Sequence, residues 1–313
     1  MKNFAKLIKL TLLVATSTVM FSCSDDDNVA PESNTIAAIA SRNPNFTTLV
    51  AALDRAGLVQ TLDQNGPFTV FAPTNAAFND FLADNGFTSL NDIPVDVLRE
   101  VLLNHVVNGT NLSTSLSTGY VKTLGKGSAS DSNTLSMFIN TASGVRLNGV
   151  ASVTTPDIVA SNGVIHVVDA VIGLPTVVTH AAANPGFSTL VSLLTQQNLV
   201  STLDGTASSP FTVFAPNNDA FTTFETQNPG VLAGLTSAQV TAVLTYHVVA
   251  GANVLSTGIP ATPITTFETG TFTIAGTTIT DERDRQTGII ATDVQASNGV
   301  IHVVNNVLLP TFD

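Results

Sequence analysis

Pro67-Phe68-Thr69-Val70-Phe71-Ala72-Pro73 returns, 143 residues further on, as Pro210-Phe211-Thr212-Val213-Phe214-Ala215-Pro216. Within it Thr69 to Ala72 is short, apolar and rich in β-branched and aromatic side chains, which reads as a buried strand. Pro73, lacking a donor for a ladder, ends it. Thr74 in one copy and Asn217 in the other are N-cap residues for a helix carrying Phe78 and Phe81, or Phe221 and Phe224. The same strand-to-helix transition is encoded twice.

Working outward, the repetition continues in order. Asn43 to Val50 returns as Asn184 to Val191 at an offset of 141, and His105-Val106-Val107 returns as His247-Val248-Val249 at 142. Ala-Ser-Asn-Gly-Val-Ile-His-Val-Val, residues 160–168, returns as 296–304 at 136. A period near 140 residues is far longer than a solenoid repeat, so each copy is expected to be a domain with its own core, over 35–174 and 175–313. The boundary is placed near Leu174-Pro175-Thr176.

Phe46, Leu49, Val50 and Leu53 recur at helical spacing, as do Phe187, Leu190, Val191 and Leu194, so each copy is expected to open with an amphipathic helix. A third helix carries Leu98, Val101 and Leu102, or Val240, Val243 and Leu244. Short Thr- and Val-rich strands follow, separated by Gly and Asn. Asn162-Gly163 and Asn298-Gly299 are expected to form type I′ hairpin turns, whose two central residues need positive φ. The elements add up to an α+β fold.

The amino terminus reads as an export signal over residues 1–22. Lys2, Lys6 and Lys9 precede an apolar stretch, Leu10 to Phe21, too short to span a bilayer as a helix. The chain's single cysteine, Cys23, follows at once, then Ser24-Asp25-Asp26-Asp27. This resembles a bacterial lipoprotein signal, in which the cysteine is acylated and becomes the first residue, and several acyl chains give a stable anchor where one gives marginal binding. The acidic triplet resembles the tag that sends lipoproteins of Bacteroidetes-type bacteria to the outer face of the outer membrane. The expected location is therefore the outer membrane, exposed at the cell surface, with residues 23–34 as an acidic tether. Loss of the three signal lysines takes the formal charge from −12 to −15, which makes nucleic acid and anionic lipid poor partners.

The Thr-Val-Phe-Ala-Pro-Thr/Asn box with its Phe-bearing helix, and the Ala-Ser-Asn-Gly-Val-Ile-His-Val-Val box, together resemble the fasciclin (FAS1) domain family. The resemblance implies a wedge-shaped β-sandwich flanked by helices, and a role in adhesion, matrix attachment or binding of extracellular proteins or glycans. Tyr246-His247 keeps the family's Tyr-His pair, where the first copy has Asn104-His105. Pro156, Asp157 and Ile158 resemble a segment that some animal members use to contact integrins. With Tyr246 they are the candidate partner contacts, the alternative for 155–159 being an edge strand entering a hairpin. Some fasciclin-like proteins are reported to hold carotenoids, so a carrier of a small apolar ligand is a second reading, although a Phe-rich core is explained by packing. A surface polysaccharide-processing enzyme is a third.

Four histidines are expected to be structural. His105 and His247 continue the apolar stripes of their helices, while His166 and His302 alternate with valines on one face of a strand. No Gly-x-Ser-x-Gly, His-Glu-x-x-His or phosphate-cradling loop is present, so no catalytic residue, cofactor or metal ligand is expected. The acids of Asp281-Glu282-Arg283-Asp284-Arg285 are a candidate for Ca²⁺, but they lack an ordered oxygen-ligand spacing, so the segment is expected to be a solvated loop with local ion pairs.

Overall fold

The computed structural model describes residues 33–312, so the export signal, Cys23 and all but the last residues of the tether lie outside the described residues. The first copy runs α1 (Ile36–Arg42), α2 (Thr47–Arg55), α3 (Val59–Asp63), β1 (Phe68–Pro73), α4 (Asn75–Asp84), α5 (Val95–Leu103), β2 (Val106–Asn108), β3 (Gly119–Gly127), β4 (Ser130–Asn140), β5 (Arg146–Leu147), β6 (Ala151–Ala160) and β7 (Gly163–Val168). The second runs α6 (Val177–Ala183), α7 (Ser188–Gln196), α8 (Val200–Asp204), β8 (Phe211–Pro216), α9 (Asn218–Gln227), α10 (Val231–Gly234) and α11 (Ser237–Tyr246). Strands follow as β9 (Val248–Ala250), β10 (Ile264–Thr265), β11 (Thr271–Ala275), β12 (Thr278–Thr280), β13 (Gln286–Ala296) and β14 (Gly299–Val304).

The two boxes that repeat most faithfully are hydrogen-bonded neighbours. β1 lies parallel to β7 with Phe71 opposite His166, and β8 lies parallel to β14 with Phe214 opposite His302. Side chains of β1 alternate between two apolar volumes: Val70 and Ala72 join the helices in one, Phe71 joins Met137, Ile139 and Leu147 in the other. A strand buried on both faces needs the continuous apolar run seen in the sequence. In the first copy the ladder continues through all seven strands and closes into a barrel, whereas the second is an open sheet ordered β10-β11-β12-β13-β14-β8-β9.

The Thr74 and Asn217 caps form as expected, accepting from the N–H of Ala77 and Ala220 at 3.2 and 2.8 Å. Each copy, however, opens one helix earlier than the sequence pattern suggested, with α1 and α6. The hairpin turn also differs from the I′ expectation. Ala160 pairs with Gly163, so the loop is Ser161-Asn162, and neither residue has positive φ. Gly163 and Gly299 belong to their strands. A Cβ on either would overlap the carbonyl of Phe68 or Phe211 in the parallel neighbour, so glycine is needed for strand approach rather than for turning.

Asn162 is instead a clamp. Its Oδ1 accepts from Ile36 N at 2.9 Å, and its Nδ2 donates to Leu62 O and Gln64 O at 2.8 and 2.7 Å. Asn298 repeats this with Val177 N and Leu203 O. The sheet thereby holds the start of the first helix. Asn162→Ala is expected to lower unfolding free energy by about 3 kcal/mol, because several buried backbone groups lose their partners together. Urea denaturation measures it.

The copies pack against each other through the β3–β4 hairpin of the first. Lys122 Nζ donates to Asp293 O at 2.8 Å, Gln295 N donates to Ser136 Oγ at 3.0 Å, and Ala129 N donates to Ser297 O at 2.9 Å. Tyr120 presents its ring to the edge of His180 at 5.5 Å between centroids.

Candidate functional site

β6 has β7 along one side, but β5 pairs with it only at Ala151 and Ser152. Beyond that, Val153 N donates to Val145 O at 2.9 Å, and from Thr154 onward that edge pairs with no strand among the described residues. Register shifts between Val153 and Ile158, Asp157 at φ 63° and the lack of an N–H at Pro156 all unsuit this edge to strand addition. What it offers is a knob of side chains: Thr154, Thr155 and Pro156 are exposed, and Val159 is 64% exposed.

The candidate contacts fare differently from one another. Pro156 is exposed as a contact requires. Asp157 is not free for a partner: its Oδ1 accepts from Ser113 N at 2.8 Å and its Oδ2 from Ser113 Oγ at 2.5 Å. The Ser113 hydroxyl, more than any other group, holds its carboxyl below the usual range. Ile158 packs half-buried against the first core. Tyr246 is fully buried, donating to Thr271 O at 2.6 Å and accepting from Glu282 N at 3.1 Å, so it cannot touch a partner. The phenol needs interior partners once its ring is packed, and at the matching place Asn104 donates to Gly173 O.

The four repeat-matched histidines are buried. His105 Nδ1 donates to Val101 O at 2.7 Å while Nε2 accepts from Ile172 N at 2.9 Å. His247 does the same with Val243 O and Leu308 N. These partners require the neutral ring, and desolvation pushes both rings down to about 4. His166 and His302 stack on Phe71 and Phe214 and pair with the carbonyls of Asn111 and Val254. A fifth, His180, stands on α6 where α1 has Ile39. It is buried beside Tyr120 and pairs with Gln295 O, and burial pushes it down to about 4. Repeat matching alone had no reason to single it out, because its role depends on how the copies pack.

Asp281 to Arg285 holds the local ion pair expected, and Arg283 and Asp284 are exposed, but Asp281 is not solvated. Asp281 is buried, accepting from the backbone of Arg283, Arg285 and Leu309, and Arg285 Nη1 lies 3.6 Å away. Arg285 covers the Phe224 ring and Arg283 the Phe312 ring, each at 4.8 Å. The cluster fastens the carboxyl-terminal segment. Among the described residues, no group of three or more His, Cys, Asp or Glu is placed to hold a metal ion.

A cavity of about 630 Å³ opens between α7, α9, α10 and α11 of the second copy. The sequence pattern, read as close packing, did not reveal it.

The Fasciclin domain family matches this chain twice, over residues 44–175 and 185–310. The chain belongs to the fasciclin domain family. Protein sll1483 of Synechocystis sp. is 41% identical over 138 residues, spanning 44% of this chain and 72% of that protein. Human periostin is 28% identical over 273 residues, spanning 84% of this chain and 31% of periostin. Among solved structures, a FAS1 domain pair from the insect cell adhesion molecule Fasciclin I aligns with a TM-score of 0.48 at 21% identity, covering 83% of this chain and 92% of that one.

The two fasciclin domains use the same edge differently. Val159 of the first is open to solvent, while its counterpart in the second, Gln295, is 1% exposed against the first domain's hairpin. The Val159 end of this edge is thus covered in the second domain and open in the first, whereas Ile290, Ala291 and Thr292, the counterparts of Thr154, Thr155 and Pro156, are exposed in the second domain as well.

Proposed function

We propose that this protein is a lipid-anchored, cell-surface adhesion or extracellular binding protein, and that the first fasciclin domain makes the contact through Thr154, Thr155, Pro156 and Val159. The observation that carries this reading is the open Val159 end of β6, whose equivalent in the second domain, Gln295, is buried where its N–H meets the first domain's hairpin. A surface used for protein contact in one copy of a duplicated domain is chemically suited to it in the other. The bulged, proline-bearing edge favours side-chain docking onto a protein over strand addition. The packed domains act as one contact unit, and many copies tethered by an acylated Cys23 in one membrane supply avidity.

The test uses cells displaying the full chain. Replacing Pro156 and Val159 with Asp is expected to reduce attachment by about tenfold or more, with the melting temperature held. Unchanged attachment at normal surface density removes the assignment of this edge. Separately, Cys23→Ser is expected to shift the protein from the membrane fraction to the soluble fraction. Retention in the membrane fraction overturns the lipid anchor.

A further inference from the structure

The 630 Å³ cavity of the second domain has a physical origin in the divergence of the two copies. Phe81 and Phe224 match, as do Asn85 and Asn228, which make the same hydrogen bonds back to those phenylalanines. Between them, Leu82 of the first domain is Glu225 in the second. Gly86-Phe87-Thr88 is replaced by Pro229-Gly230-Val231. In the first domain Leu82, Phe87 and Leu90 lie against the core. In the second, Glu225 points to solvent, Gly230 has no side chain, and Val231 is 37% exposed. The space vacated by two large apolar side chains stays open.

Its walls are Leu193, Phe221, Leu232, Val240 and Leu244, and its floor is His247. Both nitrogens of that ring are already paired, with Val243 O and Leu308 N, so the depth of the cavity offers no polar partner. The rim carries Thr189, Thr222, Glu225 and Thr226. Thr222 and Thr226 spend their hydroxyl protons on Asn218 O and Thr222 O, at 3.1 and 2.8 Å. Glu225 Oε1 accepts from Gly230 N at 2.6 Å, which leaves Oε2 for a ligand. No lysine or arginine lines the cavity. Apart from the Thr189 hydroxyl, the rim therefore presents acceptors, and its one charge is the negative charge of Glu225.

We infer that the second fasciclin domain binds a compact apolar molecule headed by a hydrogen-bond donor, an alcohol or an amine, with the head at Glu225 and the body between α9 and α11. The volume is that of a pocket for a drug-sized ligand, and an apolar lining with a few convergent polar groups is the usual composition of such sites. A carboxylate head is disfavoured twice, by the Glu225 charge and by the absence of a cation. The proposal goes beyond adhesion and stands whether or not the β6 edge makes contact.

The full chain is titrated with farnesol, farnesylamine and farnesoic acid, which share one body, in competition with the neutral dye Nile red at neutral pH. The alcohol and the amine are expected to displace the dye at least about tenfold more effectively than the acid. Glu225→Gln, an exposed change that leaves the fold intact, should bring the amine and the acid to within about threefold of each other. Val240→Phe with Leu235→Phe should fill the cavity and abolish displacement without lowering the melting temperature. Equal binding of the acid, an undiminished amine preference in Glu225→Gln, or failure of the alcohol and the amine to displace the dye overturns the inference. Should the filled variant fold poorly, the Glu225→Gln comparison decides alone.

Discussion

Between pH 6.5 and 4 the protein is expected to lose stability steeply, by about 3 kcal/mol for each of His105, His180 and His247. All three rings are buried, and desolvation depresses them from the ordinary value of 6.5 to about 4. Below 6.5 the unfolded chain takes up protons that the folded chain refuses. The stabilisation is therefore complete above pH 6.5 and is lost as pH falls toward 4. Carboxyls held below their usual range by hydrogen bonds, Asp157 and Glu282, add a further loss only at lower pH, where the unfolded carboxylates protonate. The two windows separate the causes. Urea unfolding at a series of pH values measures the slope, and a flat profile between 6.5 and 4 would show that the imidazoles titrate normally in the folded protein.

Gly299→Ala is expected to cost about 4 kcal/mol or more, enough to threaten a domain of marginal stability. The added Cβ would overlap the Phe211 carbonyl, and backbone rather than a yielding side chain must move. β14 cannot retreat, because it pairs with β13 on its other side. Gly163→Ala meets Phe68 in the same way and should cost a similar amount. Gly144→Ala is the control. Its φ is 89°, but nothing lies within 4 Å of the new carbon, so only the backbone strain of about 1 kcal/mol is expected. Gly299 itself lies outside the positive-φ region, so a loss there no larger than at Gly144 would refute strand approach as the reason for the glycine.

The duplication, the capped helices and the structural histidines were legible because each depends on residues close in sequence or on a box repeated whole. Even the parallel β1–β7 pairing left a trace, since two strands that must fit one another keep their residues together in both copies. Less was visible where a residue's role depends on what approaches it from elsewhere. α1 and α6 are only seven residues long, and their apolar positions make sense only once the Asn162 and Asn298 clamps are seen. Asn162-Gly163 carried a turn signal of the right composition, but the glycine answers to a carbonyl on a distant strand. Tyr246 sat beside a matched histidine and offered no sign of which way it faced.

By itself the sequence determined the domain count, the α+β class, the strand-to-helix transition and the apolar faces, all set by local periodicity and repetition. Tertiary structure alone decided that Val159 is open while its counterpart Gln295 is covered, where the second domain leaves a cavity, and that Asp281 is buried. Those outcomes arise from contacts between residues far apart in the chain. Small local differences, Glu225 for Leu82 or Gln295 for Val159, acquire their consequence only when neighbouring elements close around them or fail to.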